Sequence, residues 1–123
     1  MGKVVAIRGA ISVKNNTREE ILASSQELLG EMVRRNKIAV EDIISIIFTA
    51  TQDLDAAFPA EAARQMGWNE TALLDAAEIA VPGSMPQVVR VLMHVGVAQE
   101  DFKPVHTFLG NAKKLRLDLS SGE

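Results

Sequence analysis

The chain has 123 residues, 13 basic and 16 acidic side chains and a net charge of −3, with 47% hydrophobic and 24% charged residues, an ordinary globular composition that suits one domain with a modest core. The absence of cysteine excludes disulfides, thiolate zinc sites and cysteine nucleophiles. No block of five or more like charges occurs, which argues against nucleic acid or an anionic membrane as a partner.

No apolar run approaches the roughly 20 residues that cross a bilayer. The opening MGKVVAIRG lacks the apolar core and cleavage site of a signal peptide, so a cytoplasmic location is expected. From Lys3 to Val13 the chain alternates as a strand, with Val5, Ile7, Ile11 and Val13 on one face. Ala6, Arg8, Ala10 and Ser12 fall on the other. That second face of small side chains leaves room beside Arg8 for a ligand; the alternative is an arginine on a solvent-facing edge.

Thr17 and Glu20 form a capping box before an apolar stripe of Ile21, Leu22, Ser25, Leu28, Leu29, Met32 and Val33. The spacing predicts a scaffold helix of about 18 residues. Arg34, Arg35 and Lys37 suit its C-terminal dipole, and Asn36 is the expected left-handed cap. Ile43 to Thr51 is nearly continuous apolar sequence and reads as a central strand covered on both faces. A turn then leads to a short helix from Pro59 to Met66, stopped by Gly67, with Phe58 at its entry and Ala60, Ala63 and Arg64 on neighbouring faces. Asp53 and Asp55 suit turn and cap duty better than acid–base work.

Thr71 to Ala76 is a short strand candidate ending near Asp75 and Glu78. After the punctuation of Pro82, Gly83 and Pro86, Val88 to Val95 reads as a buried strand, in which Arg90 is the one certain charge. Arg90 shares its face with Val88, Leu92 and His94. A guanidinium keeps its charge, so at a dry position it requires a carboxylate or an anionic ligand. Val105 to Leu109 is a last short strand, followed by a turn at Gly110, the basic segment AKKLRLDL and a tail, residues 117–123, expected to be flexible. The expected architecture is a single α+β domain over residues 1–123, with a mixed, roughly five-stranded sheet packed by one long and one or two short helices.

The sequence carries no GxSxG, P-loop, GxGxxG or HExxH motif. Ser84 sits in a turn sequence, and His94 and His106 on apolar strands read better as satisfied core residues than as bases. What stands out is a set of arginines, Arg8, Arg64, Arg90 and Arg116, with Glu78 close before Arg90. Such a set suits a small polyanion, because planar guanidinium forks grip carboxylates in bidentate fashion; the alternative is that each arginine forms its own surface ion pair.

Four segments in order, IRGAISV, TxDLxxAFPAEAAR, EIAVPGSMPQVVRVL and VH-x-FL-x-x-A-x-x-LR-x-DL, together resemble the small trimeric, monofunctional chorismate mutases of the AroH class. The resemblance implies a homotrimer with a pseudo-barrel core and sites at its subunit interfaces, which converts chorismate to prephenate without metal or cofactor. By the same resemblance Arg90 stands beside the ether oxygen of the substrate, Arg8 binds a carboxylate and Glu78 meets the ring hydroxyl. Phe58, Ala60 and Arg64 match a patch lent by a neighbouring subunit, Leu73, Leu74 and Asp75 a strand wall, and Leu115 and Arg116 a segment folding over the mouth. The sequence departs from the family pattern at Phe108, where a tyrosine is common, at Asp75, where a small Cys or Ser is familiar, and at Glu61, where some members carry lysine and the acid lowers the positive potential at the entrance. A non-catalytic trimeric binder of a small carboxylate, or a plain trimerisation module, is the competing reading; the presence of both Arg90 and Glu78 favours the enzyme.

Overall fold

The computed structural model describes residues 2–115. The chain runs as β1 (Lys3–Ser12), α1 (Arg18–Asn36), β2 (Ile43–Ala50), α2 (Ala60–Gln65), β3 (Ala72–Ala77), β4 (Val88–Val97) and β5 (Thr107–Leu109), with 3-10 turns at Val40–Asp42 and Gly110–Lys114. The strands form one five-stranded sheet in the order β3-β2-β4-β1-β5. β4 is antiparallel to both β1 and β2, whereas the outer strands β3 and β5 run parallel to the strands they pair with. This is the mixed α+β architecture expected from the sequence.

Alternation along the strands decides which face is dry. In β4, Val89, Val91, Met93, Val95 and Val97 are all buried, as are Ile7 and Ile11 of β1 and Ile46 and Phe48 of β2. They pack against Ile21, Leu28, Leu29 and Met32 of α1 in one core. β1 crosses α1 closely at Gly9, where an added Cβ would come within 2.5 Å of Met32 Sδ. The opposite face carries Arg8, Thr49, Arg90, Leu92 and His94, most of them partly exposed.

Two expectations change here. β2 is second in the sheet and flanked on both sides, but its two faces differ: Ile46 is fully buried, whereas Ile44 is 50% exposed. Arg90 likewise does not sit in a dry strand; its strand has one dry face, and the Arg90 side chain, on the other, keeps 31% of its exposure. The near-continuous apolar run of β2 masks this difference, because its second face sets Ile47 beside the short side chains of Ser45 and Thr49.

Only half of the capping box forms: Thr17 accepts the Glu20 N–H through its hydroxyl and the helix extends for 19 residues, but the Glu20 carboxylate takes the Asn15 side-chain amide, and the Thr17 N–H donates to Asn15 O. The C-terminus of α1 also departs from expectation. Lys37, not Asn36, takes the left-handed conformation, with φ 52 and ψ 45. Asn36 is buried, donating to the carbonyls of Met32 and Val105 and accepting the Val105 N–H at 2.7 Å. A longer-range contact thus claims the asparagine, and the cap falls to the next residue. Arg34 and Arg35 both bond to Glu31, whose carboxyl is held well below its ordinary pKa, chiefly by the Arg34 hydrogen bond.

Ser25 lies fully buried on the apolar face of α1, and its hydroxyl lacks a hydrogen-bond partner among the described residues. An orphaned buried hydroxyl keeps its desolvation cost. Ser25→Ala is therefore expected to stabilise the fold by about 1 kcal/mol, raising Tm by about 4 °C in a domain of this size; an unchanged or lower Tm in thermal denaturation counts against the orphaned hydroxyl.

Candidate active site

A cleft of about 400 Å³ opens on the sheet face away from α1, lined by Arg8, Gly9, Ala10, Ile47, Thr49, Arg90, Val91, Leu92 and Phe108. Register explains why these residues meet. Arg90 of β4 lies opposite Ala10 of β1 and Thr49 of β2, and Arg8 lies opposite Leu92. Phe108 of β5 pairs with Ala10. The small Ala10 therefore leaves the space between Arg90, Arg8 and the Phe108 ring. Phe108 is itself 6% exposed and packs with Ala10, Val88 and Ala112, flanked by Met85 and Leu115.

Glu78, one residue past β3, reaches Arg90 from the side. Its Oε1 accepts from Arg90 Nε at 2.8 Å, and its Oε2 accepts from the Thr49 hydroxyl at 3.2 Å. Its backbone is fixed as well: the Glu78 N–H donates to Ala50 O, and its carbonyl accepts from the Gln52 side chain. The arginine that the sequence left in need of an anion thus has a carboxylate. Because the pair engages Nε, the base of the guanidinium fork, the terminal Nη groups extend beyond it.

The other residues singled out in the sequence fall elsewhere. Phe58 and Asp75 line a larger cleft of about 770 Å³, with Arg18, Leu54, Pro59 and Glu61 among its walls. Phe58 is 68% exposed, Ala60 is buried and Arg64 is exposed at the surface of α2. Along β3 the side chains alternate: Leu73 packs against the core, Leu74 is 61% exposed and Asp75 turns towards α2. The structure therefore does not bring Leu73, Leu74 and Asp75 onto one face. Leu115 is half-buried beside the Phe108 cluster; Arg116 and the expected flexible tail at 117–123 lie outside the described residues.

Two of the departures acquire partners. Glu61 forms a two-pronged pair with Arg18 at the start of α1, so its charge is compensated within the chain instead of standing free at an entrance. Asp75 accepts the Ala60 N–H at 3.0 Å and so ties β3 to the first turn of α2. Asp53 also proves structural, accepting from the Thr51 hydroxyl and from the Gln87 N–H, and Asp55 bonds with Asn16. His94 is hydrogen-bonded to Ser45, and His106 Nδ1 accepts the Arg8 N–H at 2.9 Å. Among the described residues no group of three or more His, Asp or Glu could hold a metal ion, and no helix is long and apolar enough to cross a membrane.

Thr49 is the residue that the sequence reading passed over. Its signal was present: with Ser45 it is one of two hydroxyl-bearing residues inside the otherwise apolar IISIIFTA of β2. What the linear sequence does not contain is the antiparallel register that sets it opposite Arg90.

The sheet and cleft define an α+β protein that presents two arginines in a pocket otherwise walled by carbon and one hydroxyl, with the Glu78 carboxylate bracing Arg90 from outside that lining, a setting suited to a compact anion. Comparison with known proteins makes that class specific. The chorismate mutase type I family model matches residues 4–119, and the chain belongs to this family. It is 45% identical over 121 residues to the chorismate mutase AroH of Thermus thermophilus, covering 98% of this chain and 99% of the relative. It is 37% identical over 117 residues to the chorismate mutase AroH of Bacillus subtilis, covering 93% and 91%. Its fold is similar to a solved chorismate mutase from Clostridium thermocellum, with a TM-score of 0.86 and 53% identity over 89% of this chain and 98% of that one.

Burial pushes the Asp75 carboxyl above its usual pKa, while the Ala60 N–H and the Arg64 charge pull it back. For an acid raised in the folded state, the linked stability is full below the unfolded pKa and is lost as pH rises through the folded one. Asp75→Asn keeps an acceptor for Ala60 and removes the charge. It is expected to equal or exceed the parent in urea midpoint at pH 7, with the gap closing towards about pH 3; a variant less stable than the parent at pH 7 alone would show the ionised carboxylate to be net stabilising.

Proposed function

We propose that this chorismate mutase family member rearranges chorismate to prephenate, an isomerisation in aromatic amino acid biosynthesis, at the cleft built around Arg90. The reaction is an intramolecular [3,3] shift: the bond to the ether oxygen breaks as a carbon–carbon bond forms, with no proton or group transferred to the protein. It needs neither a nucleophile nor a base, and the described lining of the cleft offers two arginines and one hydroxyl among carbon side chains. Partial negative charge gathers on the ether oxygen in the transition state. A cation fixed there in advance stabilises the transition state more than the substrate, which is the condition for a gain in rate.

The observation that carries this reading is the Arg90–Glu78 pair. Holding Nε on Glu78 orients the guanidinium before substrate arrives, so little reorganisation accompanies the reaction. Arg8, on the adjacent strand and lining the same cleft, is assigned to a substrate carboxylate, and the Phe108 ring to the wall that keeps the substrate folded. Conformational restriction adds to the electrostatic effect, and together they have to supply the roughly 8 kcal/mol of the least demanding enzymes. Arg90→Ala is expected to lower kcat by about 1,000-fold, followed as the loss of chorismate absorbance. Full retained rate would sink this mechanism, and no turnover by the parent protein would sink the activity.

The same reading places the site between subunits of a homotrimer. Phe58 and Asp75 line a different cleft from Arg90 in the same chain. In the trimer the α2 and β3 surface of one subunit, with Phe58, Arg64 and Leu74, closes the Arg90 cleft of the next, and Leu115 stands at the mouth. Exposed apolar side chains support association: Phe58 is 68% exposed, Leu74 61% and Val4 60%. Light scattering of the purified protein tests the assembly, and a monomeric protein that is fully active would remove it from the mechanism.

Phe108 lacks the hydroxyl that a tyrosine would offer a substrate carboxylate. Phe108→Tyr is expected to lower KM by about three- to tenfold, the effect of one hydrogen bond to a charged group in a partly exposed site. Steady-state kinetics check this, and an unchanged KM and kcat/KM would show that the ring edge does not face substrate.

A further inference from the structure

We propose that Thr49 is a positioning residue of the active site, setting the rotamer of Glu78 and through it the aim of the Arg90 guanidinium. The inference rests on the reading of Arg90 given above and assigns a role to a residue outside the motifs that carry the family resemblance.

Three facts converge on Thr49. It stands on β2 directly opposite Arg90 on β4. Its hydroxyl donates to Glu78 Oε2, while Arg90 Nε donates to Glu78 Oε1. It also lines the cleft that holds Arg90 and Arg8. The two oxygens of one carboxylate are thus taken by side chains from two adjacent strands at the same level of the sheet.

A carboxylate held at one oxygen can rotate about its terminal torsion, which is broad and soft. Held at both, it has a fixed plane, and the Nε bond then fixes the direction of the guanidinium. Threonine is suited to this, since its β-branch restricts χ1 and the strand register fixes its backbone. Glu78 itself lies just beyond a strand end, where the main chain is anchored at Ala50 and Gln52. Its side chain spans the remaining distance, and Thr49 removes the freedom left in it.

The role predicts a catalytic effect without a matching loss of fold. Thr49→Val keeps the shape and the β-branch and deletes only the hydroxyl. It is expected to lower kcat by about tenfold, the effect of one hydrogen bond to a charged group, with KM changed less than kcat and Tm within about 2 °C of the parent. Thr49→Ser restores the hydroxyl and is expected to recover at least half of the lost rate. In a Glu78→Ala background, Thr49→Val is expected to change kcat by less than twofold, because its target is gone.

Thr49→Val with parental kcat overturns the proposal, as does an equal further loss in the Glu78→Ala background, which would mark a packing effect. Arg90→Ala is run alongside. If it keeps full rate, the reading of the site fails; if it loses rate while Thr49→Val does not, the positioning role alone fails.

Discussion

The structure depends on a charge that is present but not satisfied by its own strand. Arg90 places a permanent charge in a β4 that is apolar but for it and His94, and the sheet answers it with Glu78, brought from beyond β3 to a 2.8 Å contact with Nε. A fully buried lone guanidinium would be prohibitively costly, and a fully solvated one would be a weak electrostatic catalyst. The Arg90 side chain is 31% and the Glu78 side chain 21% exposed, between those limits. Much else follows from holding this pair at that depth: small residues on β1 beside it, the anchored loop before β4, and an arginine-bearing second strand.

The anchoring of that loop shows how local strain serves the site. Gln87 adopts φ 52, a left-handed backbone unusual for a residue with a side chain. Asp53 accepts its N–H, Val13 donates to its carbonyl, and its amide reaches Lys14 O. These bonds come from the segments after β1 and β2, so the start of β4 is registered against both of its neighbours at once. Gly110 makes a comparable close approach on the far side of β1, where an added Cβ would stand 2.4 Å from Ser12 Oγ. The walls of the cleft are thus set by turns outside it.

The fold was legible in the sequence wherever a single period or cap decides the matter. Alternation along β1, the Thr17 cap of α1 and Pro59 with Gly67 around α2 each determine local geometry through near neighbours, and each has its expected structural counterpart. What could not be read depends on partners distant in sequence. Asn36 looks like a cap until Val105, 69 positions away, claims its side chain. β2 looks dry on both faces because apolar side chains do not announce which of them will stay uncovered. Arg90 and Glu78 were visible as a pair because they are close in sequence, whereas Thr49 joins them only through the pairing of β2 with β4. Asp75 and Glu61 read as charges near a site, and their neighbours Ala60 and Arg18 turn them into ties between elements.

Those two ties have a consequence for the short helix that they hold. A six-residue helix has almost no stability of its own in water. Here Asp75 fastens its first turn to β3 and Glu61 fastens it to the start of α1. Phe58, at 68% exposure, consequently projects from a platform whose backbone entropy was already surrendered when the chain folded. A surface that packs against this ring encounters a shape in place of a fluctuating segment, so more of the apolar contact energy is retained as affinity.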